Sequence, residues 1–436
     1  MPTSTETASG TMSGSGDEGK RRFSPQPAGL LLGKFGLLIL LAGFLLAAWY
    51  GQTVIVVLLG LALTAAGLAK LWSRFSLVGV SCERLLSQQR VFPGEHIELR
   101  LQLINRKLLP LPWFQMDDEI PLKMSSDIPL AANNRPGFGF LSKSAALLWY
   151  TKVSWKERLC CHRRGYYQLG PITVTAGDIF GFYPRSITEP LIDHVIVYPK
   201  IFPITHLGIP SLYPIGETTA ERRIFEDPIR VIGVRDYIPR DSRRHIHWKA
   251  TARRQELQVK VFEPTTTLKV AIFLAVDSFR ARHGEVYTEE DFELGISTAA
   301  SIASYLTEHR SAVGLFANSC LADSGQPATL LPASGTSHLV EILEALAKVT
   351  PSSSSPFEKF LQAERTALPW GTTLVFILCK PSELLTELLL SLKESGHRML
   401  VLQVGDAEES EPPGTIAWHR IRQPGDFTIA GTGGTR

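Results

Sequence analysis

The densest set of chemically capable side chains lies between Arg235 and Arg254, where seven of twenty residues are Lys or Arg and two are acidic. The order is Arg235-Asp236-Tyr237, then the turn residues Pro239-Arg240-Asp241-Ser242, then Arg243, His245-Ile246-His247-Trp248-Lys249 and Ala252-Arg253-Arg254. An alternating run from Leu257 to Phe262, carrying Lys260, reads as a strand. Guanidinium and ammonium groups at this density seek carboxylates or phosphates. Three readings are open. Asp236, Asp241 and Glu263 could pair with Arg243, Arg253 or Lys260 and lock one domain onto another, with Trp248 buried beside them. Alternatively, Arg and Trp could anchor an acidic partner on a docking face. The cluster could instead meet anionic lipid headgroups or nucleic acid. Nucleic acid is not expected as a partner, since only Tyr237 and Trp248 offer stacking rings.

Other chemistry is sparse. His245 and His247 would share a face if extended, but an Arg-rich setting repels cations and no third ligand stands nearby. No Gly-x-Ser-x-Gly, Walker A loop, His-Glu-x-x-His or cysteine–histidine nucleophile pair occurs. The five cysteines (Cys82, Cys160, Cys161, Cys320 and Cys379) are odd in number and lack CxxC spacing, which argues against a disulfide framework or zinc site. A net charge of +3 over 436 residues does not by itself call for a polyanionic partner. No catalytic residue and no cofactor site is assigned.

The stretch Ile229–Glu263 resembles the signature of the domain of unknown function 58 (DUF58) family. Its parts here are Arg235, Tyr237, Pro239, Asp241, Arg243, Ile246-His247-Trp248-Lys249-Ala250, Ala252-Arg253 and Leu257, Val259, Lys260, Phe262, Glu263. Shorter pieces such as Phe92-Pro93-Gly94-Glu95, Arg164-Gly165-Tyr166-Tyr167, Gly170-Pro171 and Gly177-Asp178-Ile179-Phe180-Gly181 extend the resemblance upstream. The segment Asp277-Ser278-Phe279-Arg280-Ala281 resembles the Asp-x-Ser-x-Ser position of von Willebrand factor type A domains. Phe279 and Ala281 replace both serines, so Asp277 is left as the single candidate metal ligand, too few for a hard cation.

The elements that must position these residues follow from hydrophobic rhythm. Phe35 to Ala69 contains no charged residue. As one helix it would run about 52 Å against a bilayer core of about 30 Å. Tyr50-Gly51-Gln52 breaks it into two expected spans, Leu31–Tyr50 and Thr53–Trp72. Basic flanks at Lys20, Arg21, Arg22, Lys34, Lys70 and Arg74 place both ends in the cytoplasm. Short runs at Val78–Arg84, Ile97–Ile104, Ala146–Val153, Tyr166–Leu169, Ile172–Ala176 and His194–Tyr198 suggest a β-sandwich. From Leu268 the pattern alternates: strand Leu268–Val276, helix Asp291–Glu308, strand Ala312–Ala317, helix Ser337–Lys348, loop Ser352–Ser355 and helix Phe357–Glu364. Strand Thr372–Cys379, helix Ser382–Ser395, strand Arg398–Val404 and a last strand Thr415–Ile421 complete a doubly wound α/β pattern.

The expected organisation is multi-domain. A disordered segment covers 1–28, a transmembrane helical hairpin 29–73, a β-sandwich 75–200, a connector with the signature 201–263, a von Willebrand factor A-like α/β domain 264–424 and a flexible tail 425–436. The expected role is a two-pass, cytoplasm-facing scaffold or adaptor in a bacterial plasma membrane, without catalysis of its own. The family resemblance implies a MoxR-type AAA+ ATPase as partner, with a transglutaminase-like membrane protein as a second. The alternatives are a metal-dependent adhesion-type module around Asp277 and a hydrolase with an unrecognised site.

Overall fold

A computed structural model of the chain describes residues 34–126, 129–133, 135–204, 226–238, 245–264, 268–280, 289–369, 371–405 and 416–428. The expected disordered start, the acidic loop 406–411 and the end of the tail lie outside them. So does most of the connection from 200 to 228.

The first apolar block forms helices α1 (Lys34–Trp49) and α2 (Thr53–Ser76), broken where expected. Gly51 supplies the turn with φ +66°, a value that disfavours residues carrying a Cβ. A Cβ on Gly43 would lie 3.6 Å from Leu59 Cδ1, and one on Gly60 3.4 Å from Phe44 Cε2. These close approaches pack the helices side by side and antiparallel. With 24 residues, α2 runs about 36 Å. It is long and apolar enough to cross a bilayer, whereas the described part of α1 is shorter.

Two antiparallel sheets follow and share one core with a smaller sheet ordered Arg90–Val91, Asp193–Val197 and Gly165–Leu169. The last two of its strands lie close to those expected at His194–Tyr198 and Tyr166–Leu169. The four-stranded sheet orders Val80–Leu86, His96–Asn105, Lys152–Cys161 and Met124–Ser126. The five-stranded sheet orders Arg185–Glu189, Ile172–Ala176, Leu111–Pro121, Phe138–Leu147 and Ala131–Ala132. Alternation puts Ile97, Leu99, Leu101 and Leu103 of one sheet against Phe114, Met116, Ile120 and Leu141 of the other. Each such side chain contributes about 1.5–3 kcal/mol on burial. The expected strand Ala146–Val153 is corrected: its middle, Leu148-Trp149-Tyr150, is the exposed turn between two long strands. Apolar residues at a turn imitate a strand when burial is inferred from composition alone.

A buried arginine crosses this core. Arg84 is buried and donates through Nε to Asp118 Oδ2 at 3.1 Å, with a second contact between Nη2 and Oδ1. Its Nη1 reaches Leu169 O, Leu191 O and Asp193 Oδ2, each at 3.1 Å. Burial pushes the Asp118 carboxyl up to about 6, opposed by the Arg84 charge. Gly170, at φ +93°, admits this arrangement, because a Cβ there would meet Leu191 O at 2.1 Å and Arg84 Nη2 at 2.8 Å.

The C-terminal unit is a six-stranded sheet ordered Ala328–Ala333, Ala312–Ala317, Lys269–Leu274, Thr373–Leu378, Met399–Val404 and Ala417–Ile421. All neighbours are parallel except the edge strand Ala328–Ala333. The central strands are apolar without alternation because both faces are covered. Helices α4 (Glu289–Glu308) and α5 (Thr336–Lys348) pack on Val270, Ile272 and Leu274. The other face, Ala271 and Phe273, meets α6 (Phe357–Glu364) and α7 (Glu383–Glu394). The edge strand Ala328–Ala333 was not read from the sequence; the other elements of this unit fall close to the expected ranges. Ser352 and Ser353 are the exception: they end a short strand, Val349–Ser353, paired with Ser319–Leu321.

The two units meet through Arg164, whose side chain is 6% exposed. It donates to Glu293 Oε2 at 2.9 Å and to Leu346 O and Val349 O at 3.0 Å each. Its guanidinium lies 5.4 Å from the Phe292 ring centroid. Arg90 pairs with Glu344 at 2.7 Å and Arg163 with Glu289 at 3.0 Å. Phe202 N donates to Ser301 Oγ at 2.8 Å, and Tyr198 enters the α/β core.

Two substitutions test these joints. Arg84→Met leaves Asp118 buried without its partner and should cost about 3–5 kcal/mol, read as a lower unfolding midpoint of the detergent-solubilised chain. Arg164→Ala should expose the link between units to limited proteolysis, with Arg164→Lys restoring it only in part, since an ammonium cannot reproduce the planar fork. A wild-type digestion pattern for Arg164→Ala would remove it from the seam.

Candidate functional site: an exposed basic ribbon and helix

The basic stretch folds into a small unit of its own. Strands Glu226–Asp236 and Gln258–Pro264 pair antiparallel, with Val234 opposite Lys260, Arg235 opposite Val259 and Asp236 opposite Gln258. Between them sits the short helix α3 (Trp248–Arg254). His247 caps its start, its Nδ1 accepting from Ala250 N at 3.1 Å, as an N-cap side chain does. Gln255 closes it at φ +59°, its N donating to Thr251 O at 2.9 Å.

Local polar ties hold helix to ribbon. His247 N donates to Gln258 O at 2.8 Å, and Gln258 N to Thr251 Oγ1 at 3.0 Å. Gln258 Nε2 donates to Asp236 Oδ1 at 2.5 Å, and Tyr237 N to Leu257 O at 2.8 Å. Gln258 and Val259 are buried, while α3 buries none of its side chains. What it presents outward is Trp248, Lys249, Arg253 and Arg254, next to exposed Arg235, Val234, Ile238 and Leu257.

The structure therefore brings Arg235, Tyr237, His247, Trp248, Lys249, Arg253 and Lys260 into one unit. Tyr237, His247 and Lys260 are half-buried. Asp241 and Arg243 lie outside the described residues. A buried Trp248 is corrected: it is 68% exposed. Helix and ribbon are tied by His247 N to Gln258 O and Gln258 N to Thr251 Oγ1 without the indole as filler. His245 and His247 do not form an extended pair, since one ring nitrogen of His247 is committed to the cap.

Asp277 stands apart, at the carboxyl end of strand Lys269–Leu274. Its Oδ2 accepts from Phe357 N at 2.9 Å, in the first turn of α6, where a carboxylate suits the helix dipole. Ser278 Oγ donates to Ala275 O at 2.6 Å and accepts from Cys379 N at 3.0 Å. The adjoining cleft of about 80 Å³ contains Glu358, Lys380 and Ser382, with Ser382 Oγ bonded to Glu358. Among the described residues no group of three or more His, Cys, Asp or Glu could hold a metal ion. A larger cleft of about 500 Å³ opens beside the seam, lined by His162, Arg163, Arg164, Lys200, Glu289, Glu290 and Glu293 among others. Sequence reasoning gave Arg164 only as part of a short piece that extends the family resemblance, with no functional weight. The signal that could have found it was an Arg immediately before Gly165, followed by two tyrosines.

Because α3 sits outside the packed cores, Trp248→Ala and Arg253→Glu should each change unfolding free energy by no more than about 0.5 kcal/mol. A large loss of stability in either variant would return the cluster to the role of an interdomain lock.

Comparison with known proteins is consistent with the signature. The uncharacterized protein YeaD of Bacillus subtilis (strain 168) is 23% identical over 305 residues, covering 68% of this chain and 69% of its own. The CARDB domain of the Pyrococcus furiosus PF1109 protein covers 27% of this chain and 91% of its own, at 13% identity and a TM-score of 0.19. Spo0M, the sporulation control protein of Bacillus subtilis, also covers 27% of this chain and 49% of its own, at 10% identity and a TM-score of 0.17. Residues 233–420, which take in α3 and nearly all of the α/β unit, match the family model described as "Protein of unknown function DUF58".

Proposed function

We propose that this chain is a membrane-anchored, cytoplasm-facing scaffold that captures an acidic partner protein on the ribbon and α3. The observation that carries this reading is the exposure of Trp248. An indole in water beside Lys249, Arg253 and Arg254 gains by being covered, and aromatic and Arg side chains are the residues that dominate binding energy at interfaces. On this reading α1 and α2 are the two passes of the anchor, the paired sheets a β-sandwich, and the C-terminal unit a von Willebrand factor A-like domain. Asp277 there caps the start of α6 through its Oδ2. The family resemblance supports a MoxR-type AAA+ ATPase as the acidic-faced partner, with a transglutaminase-like membrane protein in the same assembly. The scaffold does no catalysis of its own.

The experiment is capture of that ATPase by the full chain in detergent or nanodiscs. Trp248→Ala and Arg253→Glu should each weaken capture about tenfold or more, since hot-spot side chains contribute about 2 kcal/mol and about 1.4 kcal/mol is a factor of ten. Undiminished capture by both variants would sink the docking face. Protease added outside intact cells should leave the C-terminal unit uncut. Its digestion there would reverse the orientation.

A further inference from the structure

The end of the two-sheet body from which α2 emerges is built unlike the rest of its surface. At about 1.5 Å per residue, a bilayer core of about 30 Å takes up some twenty residues. If the core begins at Thr53, it is used up near Trp72. The remaining turn, Ser73–Ser76, is fastened to the body. Ser73 Oγ donates to Tyr183 O, Arg185 Nη1 donates to Arg74 O at 3.0 Å, and Lys107 Nζ donates to Phe75 O at 2.7 Å and to Ser76 O. The helix therefore does not hang on a free linker, and the loops that grip its base are held at headgroup depth.

Strand register gathers three loops at this end. Val80 pairs with Asn105, Leu111 with Leu147 and Phe114 with Ala176, so segments 106–110, 148–151 and 177–184 are neighbours. They are tied further by Tyr150 N to Lys107 O at 3.3 Å, Asn105 Nδ2 to Leu148 O at 2.9 Å and Trp113 Nε1 to Asp178 O at 3.0 Å. Their tips carry Leu108, Leu148, Trp149, Tyr150, Ile179 and Phe180, all 56–73% exposed. Beside them a groove of about 790 Å³ runs between α2 and the last of these loops, lined by Lys70, Leu71, Arg74, Tyr183 and Arg185 among others.

We infer that these three loops form a seat on the cytoplasmic leaflet: Leu148, Trp149, Tyr150, Ile179 and Phe180 insert at the interface while Lys70, Arg74 and Arg185 hold anionic phospholipid headgroups. The inference rests on the membrane-anchor reading and adds to it a fixed contact of the body with lipid. Tryptophan and tyrosine favour the boundary between headgroups and acyl chains. Basic groups near an anionic leaflet gain about 1 kcal/mol each. An exposed apolar patch continuous with an apolar helix and rimmed by cations matches a lipid surface in both polarity and charge. The seat fixes the height and tilt of everything attached to the body.

The full chain, reconstituted in vesicles containing photoactivatable phosphatidylglycerol, is irradiated and its lipid adducts mapped by mass spectrometry. Adducts are expected on peptides from α2 and on those containing 148–151 and 177–185, with none on the buried central strand Lys269–Leu274. Combined replacement Leu148→Ser, Trp149→Ser and Phe180→Ser should abolish the rim adducts and leave those on α2. Replacing phosphatidylglycerol by photoactivatable phosphatidylcholine should lower labelling of 182–185 several-fold. Labelled α2 with unlabelled loops would overturn the seat and leave the anchor standing. An unlabelled α2 would overturn both. Equal labelling of 182–185 by the two lipids would overturn the headgroup contact.

Discussion

The guanidinium of Arg164 is the constraint on which the arrangement of this molecule depends. It leaves a turn of the two-sheet body and ends against the last carbonyls of α5, the carboxylate of Glu293 and the face of Phe292. A cation belongs at a helix C-terminus, where unpaired carbonyls concentrate negative charge. Burial makes the contact decisive, because removal would strand several acceptors away from water. Each unit has its own apolar core, so neither needs the other to fold around. What the seam decides is their mutual placement.

That division of labour runs through the chain. Arg84 does inside the body what Arg164 does between units: one planar fork satisfies a buried carboxylate and two backbone carbonyls where strands converge. The basic ribbon behaves differently. It is tied to its helix through Gln258 and Thr251 and leaves Lys249, Arg253, Arg254 and the Trp248 indole exposed. Arginine is thus used in two ways here, as buried joint and as exposed recognition surface, and only burial tells them apart.

Much was legible beforehand. The uncharged block broken at Tyr50-Gly51-Gln52 reads directly as two helices, because glycine with positive φ ends a helix where no side chain competes. The apolar runs at Val270–Leu274 and Thr373–Leu378 read as strands covered on both faces. Hydrophobic period failed where an apolar residue serves a surface. Leu148-Trp149-Tyr150 was assigned to a strand, and for Trp248 a buried junction and an exposed anchor both stayed open, because composition records how apolar a residue is and not where it ends up. Asp277 was read only as a weak candidate ion ligand, from its place after a strand; the fold adds a contact no local pattern shows, Phe357 N at the start of α6 donating to its carboxylate.

The amino-acid order alone determined the elements and their succession: an apolar helical pair, a strand-rich body, a basic signature and an alternating α/β unit. These follow from local forces, namely backbone propensity, turn chemistry and the period of burial. Tertiary structure decided which arginines are joints and which are surface, that Trp248 faces water, and that three loops distant in sequence meet around the base of α2. Such choices depend on contacts between residues about 30 to 180 positions apart, and no local pattern encodes which of the many possible partners a long cationic or aromatic side chain will meet.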